Sequence, residues 1–436
     1  MADRNDVTGA TADPATPAIS RKQIAGVCVG NAIEFYDFVA YAYFAAQIGR
    51  TFFPSETPGV SLLASLATFG VGFFTRPLGA LILGRFADRV GRKPAMLVSF
   101  GLMGFASVGL PLIPPYAAIG VAAPILVVAM RLLQGFAIGG EVGASTAFLM
   151  EAAPPDRRGL YVSFQAMSAD IASLTAGMLG LILASTLDAA ELDSWGWRVA
   201  LLAGAVIIPV GLILRRTLNE TLVPLESGAP PPHIPNYWRA AIAGFCLIAA
   251  ATTTNYLLKY MTTYASSTLG MATTVAFGAT VVIGLCGVFC DPLGGWLSDR
   301  FGRKRVMALP WTFLVIAVFP CFALLESQRS AGALYLACGV LACASTLASS
   351  VFFVAITEAL PHRVRSAALS LIYACAVSIF GGSAQFLVAW ITRMTGNPMT
   401  PAWYMICGAV VGLIAIRMLP ETAPIRLRAL QACAAK

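Results

Sequence analysis

Charge is scarce in this sequence. Of its 436 residues only 11% are Asp, Glu, Lys or Arg, whereas 58% are hydrophobic, and the mean hydropathy is +0.77. Soluble domains carry about 25% charged residues, so this chain has too few to cover a water-exposed surface. The composition therefore excludes a soluble globular protein and predicts that a lipid bilayer surrounds most of the chain.

Groups for enzymatic chemistry are scarce as well. Both histidines, His233 and His362, lie in polar stretches, so no nucleophile–His–acid set can be assembled. The ten Cys are scattered singly, without a C-x-x-C pair, which is typical of small packing residues and not of a metal site or a disulfide framework. No G-x-x-x-x-G-K-S/T phosphate loop occurs. We therefore expect no enzyme activity, no metal and no cofactor.

Long apolar runs make up most of the chain. A helix needs about 20 predominantly apolar residues to cross a bilayer. Twelve such spans are predicted, at 22–47, 59–83, 94–113, 117–149, 160–186, 197–215, 240–266, 271–297, 306–325, 331–357, 366–392 and 402–419. The fourth is longer than one crossing and is expected to continue as helix beyond the membrane. The predicted fold is an all-α membrane protein with twelve transmembrane helices.

The positive charges predict the orientation of the chain. Although the net charge is +8, most Lys and Arg residues lie in short loops, where they determine membrane topology, so no nucleic-acid partner is expected. An even number of spans places both termini on one side, and the loops of the other side contain only Arg50, Arg198, Arg329 and Arg393. The positive-inside rule therefore predicts cytoplasmic termini in a multi-pass protein of the cell inner membrane.

Polar stretches divide the chain into parts. The run Pro230-Pro231-Pro232 lies between the sixth and seventh spans and predicts a linker there. No short apolar core with a small-residue cleavage site precedes the first span, so no cleaved signal peptide is expected. The predicted parts are a disordered cytoplasmic tail (1–20), a first six-helix half (21–215), a cytoplasmic linker (216–239), a second six-helix half (240–419) and a cytoplasmic tail (420–436).

A cationic pattern, G-x-x-x-D-R-x-G-R-K, occurs twice, at residues 84–93 and 295–304, about half the chain apart. Both copies follow a Pro-Leu-Gly sequence. A second match follows spans 4 and 10, where residues 151–159 and 358–366 share Glu, Pro and Arg. These repeats indicate an internal duplication into two six-span halves, an architecture found in secondary transporters.

Together these patterns resemble the major facilitator superfamily, whose loop signature is the duplicated motif. The stretches NAIEFYDF at 31–38, RPLG at 76–79 and RLLQGFAIGGE at 131–141 are similar to those of its metabolite:proton symporters. That family holds transporters of citrate, ketoglutarate, shikimate and proline or betaine. The resemblance covers residues 20–420. It implies a monomeric transporter that works by alternating access, with spans 1, 4, 7 and 10 around a central cavity.

Span 7 carries a polar stripe. Thr252, Asn255, Tyr256, Lys259 and Thr263 follow a spacing that places them on one helical face. A cation with hydroxyls and an amide suits a carboxylate substrate. The alternative is a hydrogen-bonded seam between helices, which Thr and Asn often form in membranes. A seam rarely needs a lysine, so substrate binding is favoured.

Span 4 adds a second cation. Arg131 and Gln134 present a guanidinium and an amide on one helical face, and Arg binds a carboxylate through two hydrogen bonds. Asn31 of span 1 is expected near the same cavity from the resemblance. The alternative for Arg131 is a buried ion pair with Asp37 or Glu34 that fastens span 4 to span 1. Arg131 can have both roles if the substrate displaces the acid from Arg131 when the acid takes up a proton.

Proton coupling is expected to use carboxylates, because no predicted span contains a histidine. A carboxylate beside a cation stays ionised, and it takes up a proton more readily once the cation is withdrawn and water is excluded. Asp37 is the first candidate and Glu34, three residues earlier on the same face, the second. Asp170 in span 5 is a third, although hydrogen bonds from neighbouring polar residues give it an equally good structural role.

The duplicated loops are predicted to form a gate. The resemblance implies that their charges hold the halves together when the cytoplasmic side is closed, through charge-assisted contacts. The alternative is that they only enforce topology. The predicted gating residues are Asp88, Arg89, Arg92, Asp299, Arg300, Arg303, Glu151 and Glu358. Arg76 and Asp291, which precede the two repeated Pro residues, are expected in the same layer.

The predicted function is import of an organic acid anion by proton symport, with a citrate-like tricarboxylate or dicarboxylate favoured. Arg131 and Lys259 indicate a substrate with more than one carboxylate. The partners are then a small organic anion, protons and the bilayer. The alternatives are uptake of a zwitterionic osmolyte such as proline or betaine, or of another carboxylate such as shikimate or ketoglutarate. A zwitterion would favour an aromatic cage and would not need Lys259.

Overall fold

The computed structural model describes residues 21–57, 59–90, 92–139, 141–216, 237–360 and 365–426. Within these residues the chain is helical almost throughout, with turns and short links between helices. The predicted tail at 1–20 and most of the predicted linker at 216–239 lie outside the described residues.

The first half contains eleven described helices. They are α1 (Arg21–Tyr43), α2 (Ala45–Phe52), α3 (Val60–Phe74), α4 (Arg76–Val90), α5 (Arg92–Leu112), α6 (Tyr116–Ile119), α7 (Ala122–Ile138), α8 (Glu141–Ala152), α9 (Arg158–Thr186), α10 (Ala189–Glu191) and α11 (Trp197–Arg216). The pairs α1–α2, α3–α4 and α7–α8 each form one span, and α5, α9 and α11 form the other three. The structure thus places six spans in the first half, as the duplication predicts.

The second half repeats this arrangement within the described residues. Its helices are α12 (Tyr237–Thr263), α13 (Thr273–Phe301), α14 (Arg303–Gln328), α15 (Ala331–Ser349), α16 (Phe352–Ala359), α17 (Arg365–Ala376), α18 (Gly382–Thr395) and α19 (Thr400–Met418). A π-helical turn, Tyr264–Thr268, continues α12, and another, Val377–Gly381, joins α17 to α18. Spans 10 and 11 are therefore α15–α16 and α17–α18. We call the end of the bundle where α1 begins and α19 ends the terminal face.

The helices have the length and surface of membrane spans. Among the described residues, eight helices are long and apolar enough to cross a bilayer, and Leu97–Leu112 and Ala122–Ile138 are shorter apolar helices. Large side chains face outwards without cover, such as Phe289 and Leu309, each 71% exposed. Such side chains are favourable against lipid but not against water. The structure agrees with an all-α fold of twelve transmembrane helices.

Span 4 corrects one expectation. The sequence predicts one continuous helix over 117–149, but α6 ends at Ile119 and α7 ends at Ile138, before α8 begins. Gly120 has a φ of 60°, a backbone conformation that glycine adopts without strain. Near the second break, a Cβ on Gly139 would collide with the backbone oxygen of Arg76. The second break thus lies within a close backbone contact between span 4 and span 2.

The two halves meet along two closely packed seams. In one, α9 packs against α13, and a Cβ on Gly284 would lie 2.7 Å from the Cα of Leu174. In the other, a Cβ on Gly70 of α3 would collide with the carbonyl oxygen of Gly382 in α18. Small residues allow such backbone contact between membrane helices. The central cavity lies between these seams.

Candidate functional site

A cavity of about 110 Å³ lies between the two halves. The first half lines it with α1, α8 and α9, and the second half with α12, α13, α15, α16, α17 and the π-helical turn before α18. The interruption of span 10 brings Ser349 and Phe352 to the wall, and α8, which follows the interruption of span 4, brings Val142 there. Breaks and π-helical turns are frequent at functional sites. The duplicated interruptions thus flank the same central space.

The polar stripe of α12 faces this cavity. Thr252, Asn255, Tyr256 and Lys259 all line it, as their spacing predicts, while Thr263 is buried outside it. Lys259 is only 5% exposed. Its Nζ lies 5.8 Å from the ring centroid of Phe35 and 5.3 Å from that of Tyr256. The two rings and the stripe form a partly apolar wall around one ammonium group.

Two carboxyl groups share the cavity wall with this lysine. Asp170 of α9 and Asp291 of α13 both line the cavity and face each other, and Lys259 acts electrostatically on Asp170. The expectation that Asp291 belongs to the gating layer was wrong. At 1.5 Å of rise per residue it lies about 15 Å from the end of α13 at Phe301. The cavity thus holds one cation and two acids from both halves.

Asn31 reaches the cavity while fastening α1 to α9. Its Nδ2 donates to Ser168 Oγ at 2.8 Å and to the backbone carbonyl oxygen of Gln165 at 3.1 Å. Within the described residues its Oδ1 has no hydrogen-bond partner. One side of this amide therefore fastens two helices, while its buried oxygen is left without a partner among the described residues.

Arg131 lies outside the cavity wall. It is fully buried, and its guanidinium lies 4.3 Å from the ring centroid of Phe38 and 4.5 Å from that of Tyr41. Its NH1 donates to Gln134 Oε1 at 2.8 Å, and Gln134 Nε2 donates to Asp37 Oδ2 at 2.5 Å. The amide of Gln134 therefore links the arginine to Asp37, where the sequence suggested a direct ion pair as one alternative.

Two other buried charges belong to this neighbourhood. Glu34 is 3% exposed and does not line the cavity. Arg76 was expected in the gating layer, and this was wrong. Its guanidinium is buried 4.2 Å from the ring centroid of Phe73 and 4.6 Å from that of Phe38. Aromatic faces attract such a cation, so Arg76 and Arg131 share the Phe38 ring in the centre of the bundle.

Asp299 joins the two halves at the terminal face. Its carboxylate accepts hydrogen bonds from the backbone N–H groups of Gly159 at 2.9 Å and Leu160 at 3.0 Å, which begin α9 in the other half. A carboxylate at a helix N-terminus is favourable because the N–H groups there have no helical partner. Arg303 NH1 donates to the same carboxylate at 2.6 Å. A Cβ on Gly159 would meet this guanidinium, so glycine gives the contact its room.

The other charged residues in the second copy of the cationic motif, at residues 295–304, contact their own half of the bundle. Arg303 donates two hydrogen bonds of 3.2 Å to Glu358. Glu421, which the sequence analysis missed, accepts from the backbone N–H of Arg303 at 2.8 Å. The guanidinium of Arg300 lies 4.3 Å from the ring centroid of Trp296. The loop is therefore both an ion-pair network and the start of α14.

The first loop is described only in part. Its backbone is helical at Asp88 and Arg89 and again from Arg92, but these three side chains lie outside what the structure describes. Glu151 is exposed at the end of α8 and acts electrostatically on Arg365, which begins α17. Their predicted gating roles remain predictions.

Two six-helix halves around buried charges define a secondary transporter. The sequence model of the Major Facilitator Superfamily matches residues 27–376 of this chain. The chain therefore belongs to this superfamily, whose members are membrane transporters and not enzymes.

Known relatives extend over nearly the whole chain. It is 35% identical over 415 residues to the citrate-proton symporter of Salmonella typhi, covering 93% of this chain and 96% of that one. It is 34% identical to the alpha-ketoglutarate permease of Escherichia coli K12, covering 91% and 93%. It is 33% identical to the proline/betaine transporter of the same strain, covering 92% and 84%. The relatives thus include transporters named for different substrates.

Solved structures agree on the fold. The xylose transporter XylE from E. coli, in a partially occluded inward open conformation, has a TM-score of 0.76 to this chain at 17% identity. The match covers 92% of this chain and 98% of that one. At this identity the likeness shows the twelve-helix architecture and nothing about the substrate.

We expect Asp299→Asn to slow transport several-fold without changing substrate preference. The carboxylate accepts two backbone hydrogen bonds from the other half, and hydrogen bonds to charged groups contribute about 1.5–3 kcal/mol each. Initial uptake rates would be compared with those of Asp156→Asn, an exposed acid at the same face. A changed substrate profile would contradict the gating role.

Proposed function

We propose that the protein imports an organic acid anion together with protons. The observation that carries this proposal is Lys259, a buried cation on the cavity wall within a stripe of neutral hydrogen-bonding groups. A charge in the membrane interior is costly unless it faces a partner or a water-filled path. A substrate carboxylate replaces Asp170 as the partner of Lys259 when it binds. Thr252 and Asn255 then hydrogen-bond the remaining oxygens.

A citrate-like tricarboxylate or dicarboxylate fits this site best. Two relatives are named citrate-proton symporters and one is named an alpha-ketoglutarate permease. For a second carboxylate to reach Arg131, the hydrogen bond from Arg131 to Gln134 must rearrange. That rearrangement links substrate binding to Asp37, which Gln134 also contacts.

A zwitterionic substrate such as proline or betaine is the second candidate. The rings of Phe35 and Tyr256 line the cavity, and aromatic faces bind quaternary ammonium groups. However, the ammonium of Lys259 already lies over both rings. A substrate ammonium would be placed beside this like charge, so the anion is favoured.

Proton coupling is assigned first to Asp37. When a substrate carboxylate draws Arg131 away from Gln134, Asp37 loses its link to the cation. A buried carboxylate without a cationic partner favours the protonated form. Glu34 and Asp170 remain the other candidates for this role. Alternating access would then be completed by the Asp299 contact, which closes the terminal face.

Orientation and assembly follow from the charge pattern. The loops at the terminal face hold the duplicated cationic motif, and the positive-inside rule places such loops in the cytoplasm. We assign the protein to the bacterial inner membrane, with both termini cytoplasmic. The cavity lies within one chain, so the monomer embedded in lipid is the proposed functional unit.

The first experiment measures internal pH in cells that express the protein. Citrate, tricarballylate, ketoglutarate, shikimate, proline and betaine are added singly, with and without sodium. We expect prompt, sodium-independent acidification with a tri- or dicarboxylate, because each imported anion enters with protons. Cells without the protein are the control. A response to betaine or proline alone would keep the fold and the coupling but overturn the proposed substrate class.

Lys259→Ala should weaken substrate binding about 10- to 100-fold, since a charge-assisted hydrogen bond contributes about 1.5–3 kcal/mol. The measurement is the substrate concentration for half-maximal uptake in proteoliposomes. Lys22→Ala, an exposed lysine at the start of α1, is the matched control. An unchanged affinity in Lys259→Ala would refute the carboxylate contact.

Asp37→Asn should abolish accumulation driven by a pH gradient while sparing substrate exchange. Asparagine preserves the acceptor for Gln134 but carries no exchangeable acid proton. Uptake against a gradient and counterflow exchange are measured on the same preparation. Asp193→Asn, which alters an exposed ion pair with Arg50 at the other face, is the control. Full accumulation in Asp37→Asn would move coupling to another acid.

A further inference from the structure

Asp170 and Asp291 form a contact between the two halves of the bundle. They lie on α9 and α13, are 7% and 1% exposed, and face each other on the wall of the cavity, where they can share a hydrogen bond once one of them is protonated. The packing around them is built for this contact. A Cβ on Gly287, one turn before Asp291, would collide with Asp170 Oδ2. The pair therefore occupies a space that a single glycine leaves open.

A hydrogen bond between these two acids requires a proton. An ionised carboxylate only accepts hydrogen bonds, so a bond between two carboxyl groups needs one of them to carry an acidic hydrogen. Two ionised carboxylates in contact would repel each other. Asp291 Oδ2 has no hydrogen-bond partner within the described residues. The closed arrangement of α9 and α13 therefore fits one proton shared by the pair.

Among the described residues, Lys259 is the charged group that acts on this pair from outside it. Lys259 interacts electrostatically with Asp170, and Arg76 interacts electrostatically with Lys259. The other groups facing the pair are neutral: the hydroxyl of Tyr43 and the thiols of Cys286 and Cys290. Whatever binds Lys259 thus changes the electrostatic balance of the pair.

We propose that Asp170 and Asp291 together carry one transported proton, distinct from the proton assigned to Asp37, and hold it only while the halves are in contact. This inference rests on the proposed function of anion–proton symport. One carboxyl O–H bond forms when the site faces the acidic side. It breaks when α9 and α13 separate at the other side, and the proton passes to water.

The pair also explains why substrate and proton move together. In the empty protein, Lys259 offsets the charge of one carboxylate, so the halves can also close when the pair is unprotonated and the hydrogen bond between the acids is absent. When a substrate carboxylate occupies Lys259, that offset is lost and closure requires the shared proton. A loaded but unprotonated carrier therefore remains open. By reciprocity, a protonated pair leaves Lys259 available and strengthens substrate binding.

The test is the proton-to-substrate ratio in proteoliposomes, obtained from the pH gradient that exactly balances a known substrate gradient. We expect Asp170→Asn and Asp291→Asn each to lower this ratio by one proton. The double variant should lower it no further, because both acids share one proton. Each lost proton reduces the limiting accumulation about tenfold per unit of pH gradient.

Two further variants keep the test informative if an asparagine variant fails to fold. Gly287→Ala retains both acids but pushes Asp170 away, so it should also lower the ratio. Asp291→Glu restores an acid and should restore the ratio, although the rate falls. Counterflow exchange reports folding, and Asp156→Asn is the control at an exposed position.

The outcomes separate this inference from the proposed function. Wild-type protein that moves no organic anion would overturn the proposed function itself. Wild-type symport with an unchanged ratio in Asp291→Asn would overturn only the shared proton. A double variant that loses two protons would show that the acids act independently. Wild-type uptake driven by sodium, and lost in Asp291→Asn, would make the pair a sodium site instead.

Discussion

An ion inside a bilayer must be matched by an opposite charge or face water, because leaving it alone costs a few kcal/mol or more. This requirement governs the centre of the bundle. Lys259 is matched by Asp170, and Asp170 is joined to Asp291. Arg131 is held by Gln134 and by aromatic rings. In the proposed mechanism a substrate carboxylate or a proton replaces these partners, so the contacts that stabilise the folded chain are also the ones that transport would break.

The packing between the halves determines how those contacts can change. Along α9 and α13, and again between α3 and α18, backbones approach until a Cβ at Gly284 or Gly70 has no room. Such surfaces are well packed in a small number of arrangements and poorly packed between them. The halves are therefore expected to move as bodies instead of deforming locally. The Asp299 contact to the start of α9 adds a polar fastening at one end of the same seam.

The sequence predicted the spans, the duplication and the stripe on α12 because these depend on periodicity and composition, which are local. It predicted the neighbours of buried charges less well. Asp291 was assigned to the gating layer from its place beside Pro292, whereas depth along α13 puts it in the cavity. The relay through Gln134 and the cap from Glu421 were not predicted, since both depend on which helices are adjacent. The side chain of Asp88 lies outside the described residues, so its place in the gate remains a prediction.

A proton on Asp37 and a proton on the pair of Asp170 and Asp291 would change different contacts in the fold. Arg131, Gln134 and Asp37 connect α7 to α1, so a proton on Asp37 changes contacts inside the first half. Asp170 and Asp291 connect α9 to α13, so a proton there changes the contact between halves. Only the second kind acts directly on the equilibrium between closed and open arrangements, because a ligand shifts an equilibrium through its different affinity for the two states. Lys259 acts on Asp170 of that pair, so the proposed anion site and the proposed control of closure would be neighbours.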